Sequence, residues 1–231
     1  MDLLHHFVHT GQENRVQEQE SLQSSNTREG AVAMVAFWRR WLGRKQVVLS
    51  LGEGVELRQL TMQDASALFD LTIRNRERLR RWMSWVDFVR SEEDTRGFIR
   101  ESLRNFRSGR SLQMGIWWNG SMAGTIGLFS TAGAEQEAEI GYWIDEAAEG
   151  QGLVTRATRE MIRYAFEQWQ VPAVRIRVEP ENVRSRAIPE RLGFSLRGEV
   201  EEDWADGSQR TLLIYVMHVS EFHDEYAEGN G

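Results

Sequence analysis

Apolar residues recur with two different periods along this chain. Between Val55 and Leu60 they alternate with polar ones, as a half-buried strand requires. Thr61 follows as a candidate N-cap, and Ala65, Leu68 and Leu71 then fall on one face of a predicted helix. A second cap, Ser91 with acids in the turn behind it, opens a helix whose stripe is Phe98, Ile99, Leu103 and Phe106. Leu112–Trp118 and Met122–Phe129 read as strands around Asn119-Gly120, a pair suited to the two left-handed positions of a type I′ hairpin. Glu137–Ile144 is a further strand. Leu153, Ala157, Met161 and Ala165 then form the i, i+4 row of a buried helix face. Val174, Ile176 and Val178 alternate as a strand, Ser185–Leu192 is a short helix stopped by Gly193, and Leu212–Val219 closes the sheet. The sum is a mixed α/β (α+β) domain over residues 55–222, without an internal repeat.

The flanks differ in character. Residues 1–30 are rich in Gln, Glu, Ser and Asn, and too few are apolar to offset the entropy of ordering, so disorder is expected. His5, His6 and His9 lie there with no carboxylate pattern to complete a metal site, and no metal is expected. Residues 31–50 open with AVAMVAFWRRWLGRK, apolar first, then aromatic and basic. Three readings stand: a helix on a membrane surface or partner, a segment packed on its own domain, or a natural start at Met34. Residues 223–231 are expected to form a disordered tail.

Composition narrows the chemistry. A chain of 231 residues with 41% hydrophobic content can bury one sizeable core. A net charge of −7 argues against general nucleic-acid binding, which favours a basic face. The chain has no cysteine, which excludes a thiol nucleophile, a disulfide framework and a Cys-ligated zinc site. No run approaches the length of a transmembrane span, and the N-terminus lacks the basic-then-apolar order of a secretory signal. The expectation is a cytoplasmic protein. Its oligomeric state, monomer or homodimer, is not legible.

The chemistry concentrates in GYWIDEAAEGQGLVTRATREMIRYAF, residues 141–166: a strand, a glycine-punctuated loop, then an amphipathic helix. A helix N-terminus presents unpaired N–H groups and partial positive charge, which suits phosphate. Gly150 and Gly152 let the backbone approach closer than a Cβ would permit. The loop is neither a Walker motif nor the G-x-G-x-x-G dinucleotide fingerprint. A glycine turn before an ordinary surface helix is the competing account.

Together with ENVRSRAIPERLGF (residues 181–194), the segments AEIGYW and EGQGLVTRA resemble the GNAT acetyltransferases, and among them the RimJ/RimL-type branch that acetylates protein N-terminal amines. The resemblance implies a GNAT fold, a mostly antiparallel sheet splayed at a cleft for acetyl-CoA. It places Gly150, Gln151, Gly152, Leu153, Val154 and Thr155 against the pyrophosphate, and Asn182 on the pantetheine arm. Two departures stand out: Glu149 where the family usually has Gln or Arg, and Val154 where many members carry Gly or Ala. An acid beside phosphate repels it, and Arg156 or Arg159 is the expected compensation.

Further roles follow from the resemblance. Ser185 matches the serine that protonates the leaving thiolate in RimL-type enzymes; as an alternative it is only a helix cap. Where many GNATs carry a general-acid tyrosine, this chain has Pro189, which has no N–H for the carbonyl of Ser185 and so leaves that acceptor unpaired. The base candidates are Asp203, then Glu202, in a segment one residue shorter than usual, and Glu139 on the central strand; an acidic, substrate-attracting rim is an equal reading of residues 199–206. Trp82 and Trp85 are candidates for the acceptor cleft, beside Arg80 and Arg81, or else core packing. Implied acceptors are a protein N-terminal α-amine, or a polyamine, aminoglycoside or amino acid. A non-catalytic acyl-CoA-binding module and a docked adaptor using residues 31–45 are the other classes.

Overall fold

The computed structural model describes residues 46–131, 137–204 and 206–222. Eight strands form one sheet: β1 (Val48–Ser50), β2 (Val55–Gln59), β3 (Ser111–Trp118), β4 (Ser121–Ser130), β5 (Ala138–Ile144), β6 (Ala173–Val178), β7 (Ser195–Asp203) and β8 (Gln209–His218). Their spatial order is β1-β2-β3-β4-β5-β6-β8-β7. Every neighbouring pair is antiparallel except β5 and β6. Among the described residues five α-helices flank the sheet: α1 (Ala65–Arg74), α2 (Arg76–Arg80), α3 (Glu92–Arg107), α4 (Leu153–Tyr164) and α5 (Val183–Arg191).

Local sequence explains most of these elements. Asn119 and Gly120 both take positive φ, 50° and 81°, and close β3 onto β4 as the predicted two-residue hairpin. At α3 the Ser91 hydroxyl accepts from Asp94 N at 3.3 Å, while the Asp94 carboxylate accepts from Ser91 N at 2.8 Å. That reciprocal cap satisfies two backbone donors that the first turn leaves open. Thr61 and Asp64 repeat the arrangement, but around a 3-10 turn (Met62–Asp64), so α1 starts later than the cap suggests.

Alternation along β5 divides the core. Ile140 faces Leu153, Ala157 and Met161 of α4, whereas Trp143 and Phe129 face Leu68, Phe98 and Ile99 of α1 and α3. Gly124 on β4 lies against the far end of β5, where a Cβ would come within 2.3 Å of the Trp143 carbonyl oxygen. The parallel pairing of β5 with β6 covers only Ala138 with Val174 and Glu139 with Arg175. Past those residues the two strands part. This splay is the feature that makes a cleft in an otherwise continuous sheet.

Three elements depart from the sequence reading. β1 is too short to show a period. α2 hides in the arginine-rich run after Asn75. β7 is exposed nearly throughout because it is an edge strand with one neighbour, so it carries no period-two pattern. The expected extension 1–30, most of segment 31–50, the histidines and the tail 223–231 lie outside the described residues. Among the described residues no helix is long and apolar enough to cross a membrane.

Candidate active site

A groove runs from the splay along the N-terminus of α4 to α5, with Trp82, Tyr142, Leu153, Asn182, Ser185 and Arg191 in its wall. Gly150 and Gly152 sit at φ 75° and 70°, left-handed backbone that disfavours other residues, and nothing lies within 4 Å of where a Cβ would project. Between Glu149 N, bonded to Glu146 O, and Arg156 N, bonded to Gly152 O, no amide from Gly150 to Thr155 has a backbone acceptor among the described residues. A run of free N–H groups at the start of a twelve-residue helix fits a pyrophosphate. The expected cofactor residues Gly150, Gln151, Gly152, Leu153, Val154 and Thr155 are therefore together. The Thr155 hydroxyl accepts from Arg191 Nη1 at 3.0 Å, which leaves its hydrogen available.

Glu149 is neutralised by arginines other than the expected Arg156. Arg78 of α2 donates to its Oε1 at 2.6 Å, and Arg184 of α5 bonds its Oε2. Arg156 instead holds the β1–β2 turn through Glu53 and the carbonyls of Leu51 and Gly52. The acid thus lies between two guanidinium groups, and the loop keeps a net positive surround.

Ser185 stands in the first turn of α5. Asn182 caps that helix, its side-chain oxygen accepting from Ser185 N at 3.3 Å. The Ser185 carbonyl that Pro189 leaves without a helical donor is not unpaired. The Tyr142 hydroxyl donates to it at 3.1 Å, and Ser185 Oγ donates in turn to the Tyr142 oxygen at 3.4 Å. Burial pushes the Tyr142 phenol above its ordinary pKa, outweighing the hydrogen bond with Ser185, so it remains a neutral donor.

The three carboxylates part company. Glu139 is almost fully buried, and Arg175 and Arg177 both bond it, at 2.9 and 3.0 Å. Arg177 also donates to Glu202 at 2.9 Å. Burial lowers the Arg177 pKa, but the charges and hydrogen bonds of Glu139 and Glu202 outweigh it and leave the group firmly protonated. Two of the expected bases are thus ion-paired at the root of the splay. Asp203 lies at the exposed end of β7, opposite Gln209, and no ion pair involves it among the described residues.

Residues 55–195 match the acetyltransferase (GNAT) domain family. The chain belongs to the GNAT acetyltransferases. Similar relatives include the putative ribosomal N-acetyltransferase YdaF of Bacillus subtilis, 32% identical over 76% of this chain and 97% of its own length. The ribosomal-protein-serine acetyltransferase of Escherichia coli is 27% identical over 65% of this chain and 84% of its own. Among solved structures, RimL, the ribosomal L7/L12 alpha-N-protein acetyltransferase in complex with coenzyme A, superposes with TM-score 0.71 at 22% identity, covering 76% of this chain and 99% of that one. At that identity the superposition speaks for the fold. RimJ of Mycobacterium smegmatis, solved with a CoA disulfide, is 26% identical with TM-score 0.69, covering 78% of this chain and 90% of that one.

On the acceptor side of this GNAT domain the two tryptophans separate. Trp82 is half-buried in the groove wall, with the Arg81 guanidinium 5.3 Å from its ring centroid. Trp85 is a correction to the expectation: it is 4% exposed and packs on Trp143 with ring centroids 6.4 Å apart, in the core under α1 and α3. Arg80 is occupied by Asp87 and Glu77. Arg210, which sequence reasoning did not single out, donates to Arg81 O at 2.9 Å and to Glu179 at 3.1 Å, and stacks 3.8 Å over Trp204. It straps the Trp82 turn to the β7–β8 hairpin. Burial pushes the Glu179 carboxyl up against the pull of Arg210. Arg78, Arg184 and Arg210 gave no sequence signal for these contacts because each acts through a partner distant in the chain.

Proposed function

We propose that this acetyltransferase takes acetyl from acetyl-CoA and transfers it to the N-terminal α-amine of a protein, in the manner of the ribosomal-protein enzymes it is similar to. The observation that carries this reading is the match to a relative named as a ribosomal N-acetyltransferase across 97% of that relative's length. The glycine loop supplies the pyrophosphate contacts, and the parted edges of β5 and β6 supply backbone partners for an amide-bearing arm. The reading has the protein working in the cytoplasm, where ribosomal proteins are made.

Bound acetyl-CoA supplies a thioester carbonyl that a neutral amine attacks directly, with the thiol as leaving group. An α-amine has a pKa of about 8, so roughly a tenth is neutral at pH 7 and a strong base is unnecessary. Asp203, the candidate carboxylate free of arginine, serves as acceptor of that proton directly or through water. Ser185 donates a hydrogen bond to the departing thiolate. Trp82 and Arg81 form one wall of the acceptor entry.

Thiol release from acetyl-CoA across N-terminal peptides and small amines tests this. Because the chain has no cysteine, every thiol detected comes from the cosubstrate. Release with Ser- or Ala-starting peptides is the expected result. Release only with polyamines or aminoglycosides moves the function to small molecules, and bound acetyl-CoA without any release marks a binding module.

A further inference from the structure

Pro189 interrupts the hydrogen-bond ladder of α5 one turn after Ser185. A helix interior normally gives each carbonyl the N–H four residues on, and proline has none to give. Here a side chain from the opposite strand of the cleft takes the freed carbonyl: the Tyr142 hydroxyl donates its single hydrogen to Ser185 O at 3.1 Å.

That commitment determines what the phenol does next. With its hydrogen on the carbonyl, the Tyr142 oxygen can only accept, and the group offering it a hydrogen is Ser185 Oγ at 3.4 Å. Ser185 is thereby held at three points: its amide by Asn182, its carbonyl by Tyr142, and its hydroxyl by the same phenol. Tyr142 itself is fixed, because β5 pairs with β4 at Ile126 and the ring packs against the larger core. Both contacts of the phenol are longer than the usual O–H···O range, and the serine hydroxyl's, at 3.4 Å, is the longer and gives up little when the hydrogen turns elsewhere.

We propose that Tyr142 is a positioning residue that parks the Ser185 hydroxyl for the leaving sulfur, and that Pro189 enables it by freeing the carbonyl Tyr142 grips. The proposal rests on the role of Ser185 given above. It also accounts for a proline where many relatives of this fold carry a general-acid side chain. The proline itself donates nothing to the leaving group, but the carbonyl it frees holds Tyr142, which in turn holds the Ser185 hydroxyl.

The test is a double-mutant cycle with peptide acceptor and acetyl-CoA. Tyr142→Phe removes one oxygen and keeps the ring, so kcat falls about fivefold to tenfold, with KM for acetyl-CoA within about twofold. Pro189→Ala restores an N–H that competes for Ser185 O, and kcat falls similarly. In a Ser185→Ala background neither change lowers kcat further, because the group being positioned is gone. Equal losses in both backgrounds, or a Tyr142→Phe enzyme with parental kcat, overturn the proposal. A parent that turns over no amine counts against the assigned activity alone. The crystal structure of Pro189→Ala then decides the geometric claim: a Tyr142 hydroxyl withdrawn from Ser185 O supports it, and one that stays refutes it.

Discussion

Arg177 Nε lies 3.0 Å from both carboxylate oxygens of Glu139, with each side chain only 9% exposed. This bidentate pair sits where β5 and β6 begin to part, and Glu202 completes it at 2.9 Å. Charges so placed are costly to separate, since removal of Arg177 leaves Glu202 buried without its cation and Glu139 with Arg175 alone. The role that follows is structural. Arg177→Met is expected to lose about 3–5 kcal/mol of stability by denaturant melt. Glu139→Gln is expected to lower the melting temperature while kcat per folded molecule stays within about threefold, a smaller loss than removing a general base gives. A loss of a hundredfold in kcat at unchanged stability returns Glu139 to the base role.

Glu149 lies between Arg78 and Arg184, and Arg184 is 83% exposed. Arg78 keeps its bonds to Asn75 and Ile144 without the acid, whereas Arg184 is freed toward the loop amides. Glu149→Gln therefore removes repulsion and releases a cation. Acetyl-CoA is expected to bind about threefold to fivefold tighter, with a steeper salt dependence. Calorimetry at two ionic strengths reads both, and weaker binding shows instead that Glu149 is needed to position the arginines.

Asp145 ties the glycine loop to α1, accepting from Arg74 at 2.5 Å and from Asn75 at 2.9 Å. Burial raises its carboxyl pKa, but the hydrogen bonds of Arg74 and Asn75 and the Arg74 charge bring it below the ordinary value. A carboxylate depressed in the folded state adds stability above its unfolded pKa and loses it as the pH falls through the folded one. The acid limb of the stability profile, from about pH 4 downward, should therefore flatten in Asp145→Asn. An unchanged acid limb assigns the loss to other carboxylates.

Gly124 has no room for a side chain. An added Cβ meets the backbone of Trp143 at 2.3 Å and Ile144 Cα at 2.9 Å, which cannot swing aside as a side-chain end can. Gly124→Ala is expected to cost about 3 kcal/mol, a fall of roughly 9 °C in melting temperature. Because β5 carries Glu139 and Tyr142, the same variant should also weaken acetyl-CoA binding, measured at a temperature where it is folded.

Glycines, caps and periods determined much of this protein by themselves. Positive φ at Gly150, Gly152, Asn119 and Gly120 and the cap at Ser91 are local properties, decided by which residues tolerate a backbone angle or offer an oxygen to it. The strong strands and helices followed from burial on one face. The missing N–H of Pro189 was equally legible. Its consequence was not, because the donor that answers it, Tyr142, lies 43 residues from Ser185. Glu149 likewise finds Arg78 and Arg184 at separations of 71 and 35 residues. Trp82 and Trp85 look alike in sequence, and only packing sends one to the groove and the other to the core. Charge pairing and side-chain burial depend on distances that chain folding sets, whereas backbone angles and hydrophobic periods are written residue by residue.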